Sequence, residues 1–258
     1  MLSGTSSLPI NISAAPEVLK NYNISLKNKK FEEAKKATSE LVQLMSKHID
    51  TTAEDVRIFG EKLRDDKCFV ESIMMFDASS ILSEKINKPE EKLEKIEVCV
   101  YEMKRSNAAM ISDDVDMKVI VKGYVIPLMH DKLRKMERTS SVSEQHKCLQ
   151  MTWVLHHIEF CHKLVDQLKE CERTQKEGIQ RMNQVFGQDK IKHRVYGHLL
   201  NNLGTLCHST SRYDEAVSFY RQSIVARKAA TDYRDEEARK KDITRCEENL
   251  RNAQEKTK

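Results

Sequence analysis

Glycine and proline are scarce in this chain, 7 and 4 among 258 residues, against an average of ~12% for the two combined. Turn-rich sheet architectures draw heavily on both, so little of the chain is expected to be turn-rich sheet. The prolines stand at Pro9, Pro16, Pro89 and Pro127, which leaves Glu17 to Lys88, and everything from Leu128 onward, without a strong helix breaker. Charge of one sign is also missing: 44 basic and 40 acidic residues leave a net +4, too even for the one-sided stripe that tracks nucleic-acid phosphates. The basic clusters Lys27-Asn28-Lys29-Lys30 and Arg239-Lys240-Lys241 adjoin Glu32-Glu33 and Asp235-Glu236-Glu237, and read as solvated helix ends or faces. No apolar run approaches the ~20 residues that span a bilayer, and Met1 to Ser7 lack the apolar and basic character of an export signal. Cys68, Cys99, Cys148, Cys161, Cys171, Cys207 and Cys246 form an odd set without a Cys-x-x-Cys pair, which argues against a disulfide framework. These absences together lead us to expect a reduced, cytoplasmic protein that is not membrane-bound.

What is present is a spaced pattern of small and aromatic residues. Leu199-Leu200-Asn201-Asn202-Leu203-Gly204 is followed by Tyr213, Ala216, Tyr220 and Ser223. A glycine inside a helix costs ~1 kcal/mol against alanine, and its return is the close approach of a second helix, here the one bearing Ala216. Phe59-Gly60 is followed by Phe69, Ser72, Phe76 and Ser79 at the same offsets. Phe31, Glu32, Glu33 and Ala34 repeat the start of the second helix more weakly, with Tyr22 where the glycine would be and Thr38 and Leu41 as partial fits.

Helix pairs at a period of ~34 residues with this spacing are characteristic of tetratricopeptide repeats. The chain resembles that family in Leu203, Gly204, Tyr213, Ala216, Tyr220 and Ser223, and departs from it at Lys228, where a closing proline often stands. Val185-Phe186-Gly187-Gln188-Asp189, ahead of the Asn-Asn-Leu helix, makes the resemblance closest to the repeats of the kinesin light chain and nephrocystin-like group, over Glu177 to about Arg227. The resemblance implies an all-α fold of antiparallel helix pairs stacked in a right-handed solenoid. It also implies a protein-interaction module, an adaptor or scaffold, without enzymatic activity or cofactor.

Four segments are expected: a flexible leader over 1–16, N-terminal helical repeats over 17–137, a Ser-rich linker over 138–146, and C-terminal repeats over 147–258 closed by a polar helix from about Asp232 to Ala253. Hydrophobic content of 39% beside 33% charged residues suits such an array, whose end must be polar. Apolar periodicity predicts one long helix from Glu144 to Arg173, a helix start at Thr51-Thr52-Ala53-Glu54, a cap at Ser112-Asp113-Asp114, and a kink or new start at Pro127. Between Gly60 and Gly204 there is room for about three further units of ~34–47 residues.

Reaction chemistry is sparse. There is no glycine-rich phosphate loop, nucleophile elbow or metalloprotease helix. His156-His157-Ile158-Glu159-Phe160-Cys161-His162 is the one dense group of metal-ligand types, with His157 and Cys161 one helical turn apart. Zinc asks for four ligands, and Cys161 falls in an apolar stripe, so no metal is expected there. The binding residues implied by the resemblance are Asn201, Asn202 and Thr205, with His198, on the first helix of the clearest unit, where they would line a concave groove. Asparagine amides both donate to and accept from an extended peptide backbone. Asn202 also matches an asparagine that grips C-terminal carboxylates in chaperone-binding members, although the cations such a clamp needs reduce here to His198 and Lys240. The partner is therefore expected to be a protein or peptide, or a second copy of the chain, with helical-repeat RNA binding as the alternative. Arg138-Thr139-Ser140 places a basic residue two before a serine, a candidate for phosphorylation together with Ser141.

Overall fold

A computed structural model describes residues 15–46, 52–110 and 115–257. Among them there are helices and short connections and no strand. The expected leader lies outside the described residues apart from Ala15 and Pro16, which open the first helix, and the cap expected at 112–114 also lies outside them. The chain divides into two compact units, one ending at Ser141 and the other beginning at Val142.

In the first unit, α1 (Ala15–Lys27) pairs with α2 (Phe31–Ser46), and α3 (Ala53–Asp65) with α4 (Phe69–Ser83). Next come α5 (Pro89–Met110), α6 (Val115–Ile120) and α7 (Ile126–Arg138). Thr52 starts α3 with a reciprocal capping box, its side chain accepting from the Asp55 N–H while Asp55 accepts from the Thr52 N–H. Helix α4 is central, packing on α1, α2, α3 and α5. Covered on nearly every side, it buries Ser72 through Ser80 without interruption, so its sequence shows no amphipathic stripe. Among these residues Asp77 forms an ion pair at 2.6 Å with Lys132 of α7, both 3% exposed, and Arg64 of α3 pairs with the equally hidden Glu102 of α5. Pro127 stands in the first turn of α7, where the new start was expected. A π-helical turn at Val121–Val125 precedes it, with the Ile126 N–H bonded to the Val121 carbonyl, and the widened turn relieves the ring's clash with the preceding backbone.

In the second unit, α8 (Glu144–Leu164) pairs with α9 (Leu168–Phe186), α10 (Arg194–Ser209) with α11 (Tyr213–Ala229), and α12 (Glu236–Lys256) covers α11. The single helix expected from Glu144 to Arg173 is a correction: the chain reverses at Val165-Asp166-Gln167. Both helices of that hairpin carry apolar stripes, which merge when read as one. The Gly187 turn before α10 has φ +52, backbone that suits glycine, and leads into a 3-10 turn over Gly187–Lys192. Asp235 caps α12 by accepting the Ala238 N–H at 2.7 Å, and only Cys246 and Ala253 of that helix are buried.

The four hairpins close identically. Lys29, Lys67, Asp166 and Ser211 each take a left-handed conformation, and the next residue donates to a carbonyl five positions back: Lys30 to Ser25, Cys68 to Leu63, Gln167 to His162, and Arg212 to Cys207. This is the long bond of a Schellman turn. It replaces the glycine that such turns usually carry at a conformational cost of ~1 kcal/mol each, which is how four tight turns coexist with so few glycines.

Counting from these turns brings the hairpins into register. Ala34, Ser72, Cys171 and Ala216 occupy one position of the second helix, and all are buried. Ser79 and Ser223 are also equivalent, donating to first-helix carbonyls of Ala53 (2.6 Å) and Gly197 (2.7 Å). The two expected glycines face aromatic rings. A Cβ on Gly60 would lie 2.7 Å from Phe76, and one on Gly204 2.6 Å from Tyr220. In the other two hairpins the first helix keeps a side chain at this position: Tyr22 faces the position of the smaller Thr38, and Glu159 that of the equally large Gln175, all four buried.

Two outcomes follow. Gly204→Ala should lose up to about 2 kcal/mol in urea unfolding, the difference between overpacking of ~1–3 kcal/mol and the ~1 kcal/mol helix-propensity gain; trimming the ring with Tyr220→Leu should recover part of it. Lys132→Met should cost ~3–5 kcal/mol by stranding Asp77, whereas Asp77→Asn combined with Lys132→Met should cost much less.

Candidate functional site

In the second unit α10 lies between α8 and α12, and one face of each helix contributes polar side chains to a shared row. The spacing is helical: His156 and Glu159 on α8, His198, Asn201, Asn202 and Thr205 on α10, and Asp242 and Asn249 on α12. Asn202 Nδ2 donates to Glu159 Oε2 at 2.8 Å and lies 3.3 Å from His156 Nδ1. Asn201 accepts from Asn249 Nδ2 at 3.3 Å. Thr205 donates to the Asn201 carbonyl at 3.0 Å and accepts from the Tyr220 hydroxyl at 3.3 Å. His198 sits between Arg227, 3.4 Å from Nδ1, and Asp242, 3.4 Å from Nε2. Arg227 and Asp242 themselves pair at 2.9 Å.

The four residues expected to contact a partner are thus brought together, but not as free groups. Asn201 is 9% exposed; His198, Asn202 and Thr205 are half-buried; and each has a partner within the unit. Asn202 addresses a carboxyl group, the wrong chemistry for a clamp that holds carboxylates. Lys240 is exposed on α12. His157 and Cys161 are 3% and 0% exposed within α8, and among the described residues no group of three or more His, Cys, Asp or Glu could hold a metal ion.

Sequence reasoning missed the neighbours that complete the row. Trp153 is half-buried, its ring 5.7 Å from His156 and 5.6 Å from His198, and the Arg194 guanidinium lies 4.8 Å over it. Glu159 was hidden for a different reason. It occupies the glycine position of a hairpin that the apolar stripe had concealed, and the run Leu168, Cys171, Gln175, Gly178 would have marked that hairpin by its offsets.

Burial pushes the Glu159 carboxyl above its ordinary value, against hydrogen bonds from Cys171 and Asn202. Burial, then the neighbouring Glu159 charge, pushes the Cys171 thiol well up, so its 3.1 Å contact with Glu159 keeps a thiol donating to a carboxyl. That is the reverse of an activated thiolate. Burial, with Arg227 beside it, lowers His198 and holds it neutral. The row can exchange hydrogen bonds and present an aromatic and cationic surface.

Because the folded protein binds the Glu159 proton more tightly than the unfolded chain does, stability should fall as pH rises from 4.5 through the raised value, with a slope of at most about 1.4 kcal/mol per pH unit. Glu159→Gln should flatten that part of the unfolding-versus-pH profile and match or exceed the wild type at neutral pH. Profiles that stay parallel would show that Glu159 is not its source.

No protein-family model matches the chain, and no curated protein matches it. Among solved structures it is similar to BtubC (BKLC) from P. vanneervenii, at a TM-score of 0.55 and 11% identity over 95% of this chain and 85% of that one. That neighbour is a helical-repeat protein, and the likeness is one of fold: an all-α chain of helices packed in neighbouring pairs. No helix among the described residues is long and apolar enough to cross a membrane.

Proposed function

We propose that the chain is a non-enzymatic protein-interaction module, an adaptor or scaffold, that receives an extended peptide or partner helix along the row formed by α8, α10 and α12. The observation that carries this reading is the half-buried Arg194–Trp153 stack beside His156, His198 and Asn202. Tryptophan and arginine recur as binding hot spots because each offers a large, flat contact at low entropic cost. Next to the stack, the amides of Asn201 and Asn202 and the Thr205 hydroxyl can exchange intramolecular hydrogen bonds for bonds to a peptide backbone. The coarse likeness to a helical-repeat protein supports an interaction scaffold in general.

Selection of a random peptide library on the full chain, followed by calorimetry, tests this. Selected peptides should bind at least tenfold more weakly to Arg194→Ala and to Asn202→Ala, or ~1.4 kcal/mol, with helicity unchanged by circular dichroism. Affinities indifferent to both variants would sink the groove assignment. A structured RNA that competes for the row, with affinity falling steeply in salt, would favour RNA binding instead.

A further inference from the structure

The first unit holds a cavity of about 410 Å³ where the connection after α4, the start of α5 and the end of α7 converge. Its lining includes Glu84, Lys92, Lys135, Arg138, Ser140 and Ser141. The charges do not cancel. Glu84, the one acid of the lining, is paired with Lys135 at 2.5 Å, while Lys92 and Arg138 have no carboxylate partner among the described residues. Pro89 also lines the cavity, so the amino end of a 22-residue helix opens onto it and adds partial positive charge. Glu90 and Glu91 offset some of that charge from the same turn but are not part of the wall.

An anion is what this wall lacks, and the residues able to acquire one belong to the wall itself. Ser140 and Ser141 are both exposed, on the irregular segment that follows the end of α7 at Arg138. Ser141 is held in a left-handed conformation at φ +64. Ser143 is committed elsewhere, its hydroxyl accepting the His146 N–H at 3.2 Å to cap α8.

We propose that Ser140 is a phosphorylation site and that the cavity is the receptor for its phosphate, held between Lys92 and Arg138 at the amino end of α5. The modification is made by a separate serine/threonine kinase using ATP. The Ser140 Oγ–P bond forms as the bond from the γ-phosphorus to the bridging oxygen breaks, ADP leaves, and the hydroxyl proton passes to the kinase's base. A phosphate carries nearly two negative charges and three acceptor oxygens, which matches two unpaired cations and a helix start. Bound there, it ties the segment after α7 to the first turn of α5.

The test uses the full chain with phosphoserine installed at position 140 during translation, which requires no kinase, and follows the phosphorus NMR shift against pH. The second ionisation should fall below the ~6 of a free phosphoserine by about one pH unit, as expected beside cations. Lys92→Ala, far from Ser140 in sequence, should return it at least halfway. A phosphate that titrates at the same pH in both proteins overturns the proposal. Saturable binding of inorganic phosphate to the unmodified chain, together with an unperturbed phosphoserine, would overturn it too, by assigning the cavity to an external phosphate.

Discussion

The contact on which each hairpin depends is the one between a single residue of its first helix and a single residue of its second, nine positions past the turn. At Gly60 and Gly204 the first helix gives up its side chain so that the Phe76 and Tyr220 rings can occupy the space a Cβ would need. The opposite solution gives the first helix Tyr22 and the second helix Thr38, while the third hairpin sets Glu159 against Gln175, two side chains of equal size. Interiors packed to crystal-like density constrain the combined volume at this contact, because an excess would push the helices apart and a deficit would leave a void. The neighbouring small residues and the Ser79 and Ser223 hydroxyls only make sense at the interhelical distance that this contact sets.

Exchanging glycine for glutamate has consequences beyond packing. Glu159 introduces a buried carboxyl, and the surrounding side chains are arranged around it: the Cys171 thiol and the Asn202 amide both donate to it. A buried polar group without such partners would cost several kcal/mol. The polar row on the second unit is therefore anchored, at one end, by a substitution inside the hairpin. In the first unit Asp77 with Lys132, and Arg64 with Glu102, meet the same requirement by pairing. Such pairs add little net stability, yet removing one member is costly.

Much of the candidate site was readable at the level of which residues share a face. Asn201, Asn202, Thr205 and His198 do lie together on α10, because residues three and four apart always do. Their hydrogen-bond state was not readable. Whether Asn202 meets water, a ligand or Glu159 depends on α8, more than forty positions earlier in the chain, and helical periodicity carries no information about which helix comes alongside. Trp153 and Arg194 escaped notice for the same reason: their stack joins two helices of different hairpins.

By itself the sequence determined the helical class, the hairpins at Gly60 and Gly204, and the capped start at Thr52, since these follow from local backbone preference and from the spacing of small and aromatic residues. Tertiary structure alone decided the π-helical turn before Pro127 and the partners that Asp77, Arg64 and Glu159 find on distant helices. Those outcomes balance a local cost, a widened turn or a buried charge, against contacts made by distant segments, and only the assembled fold contains both sides of that balance.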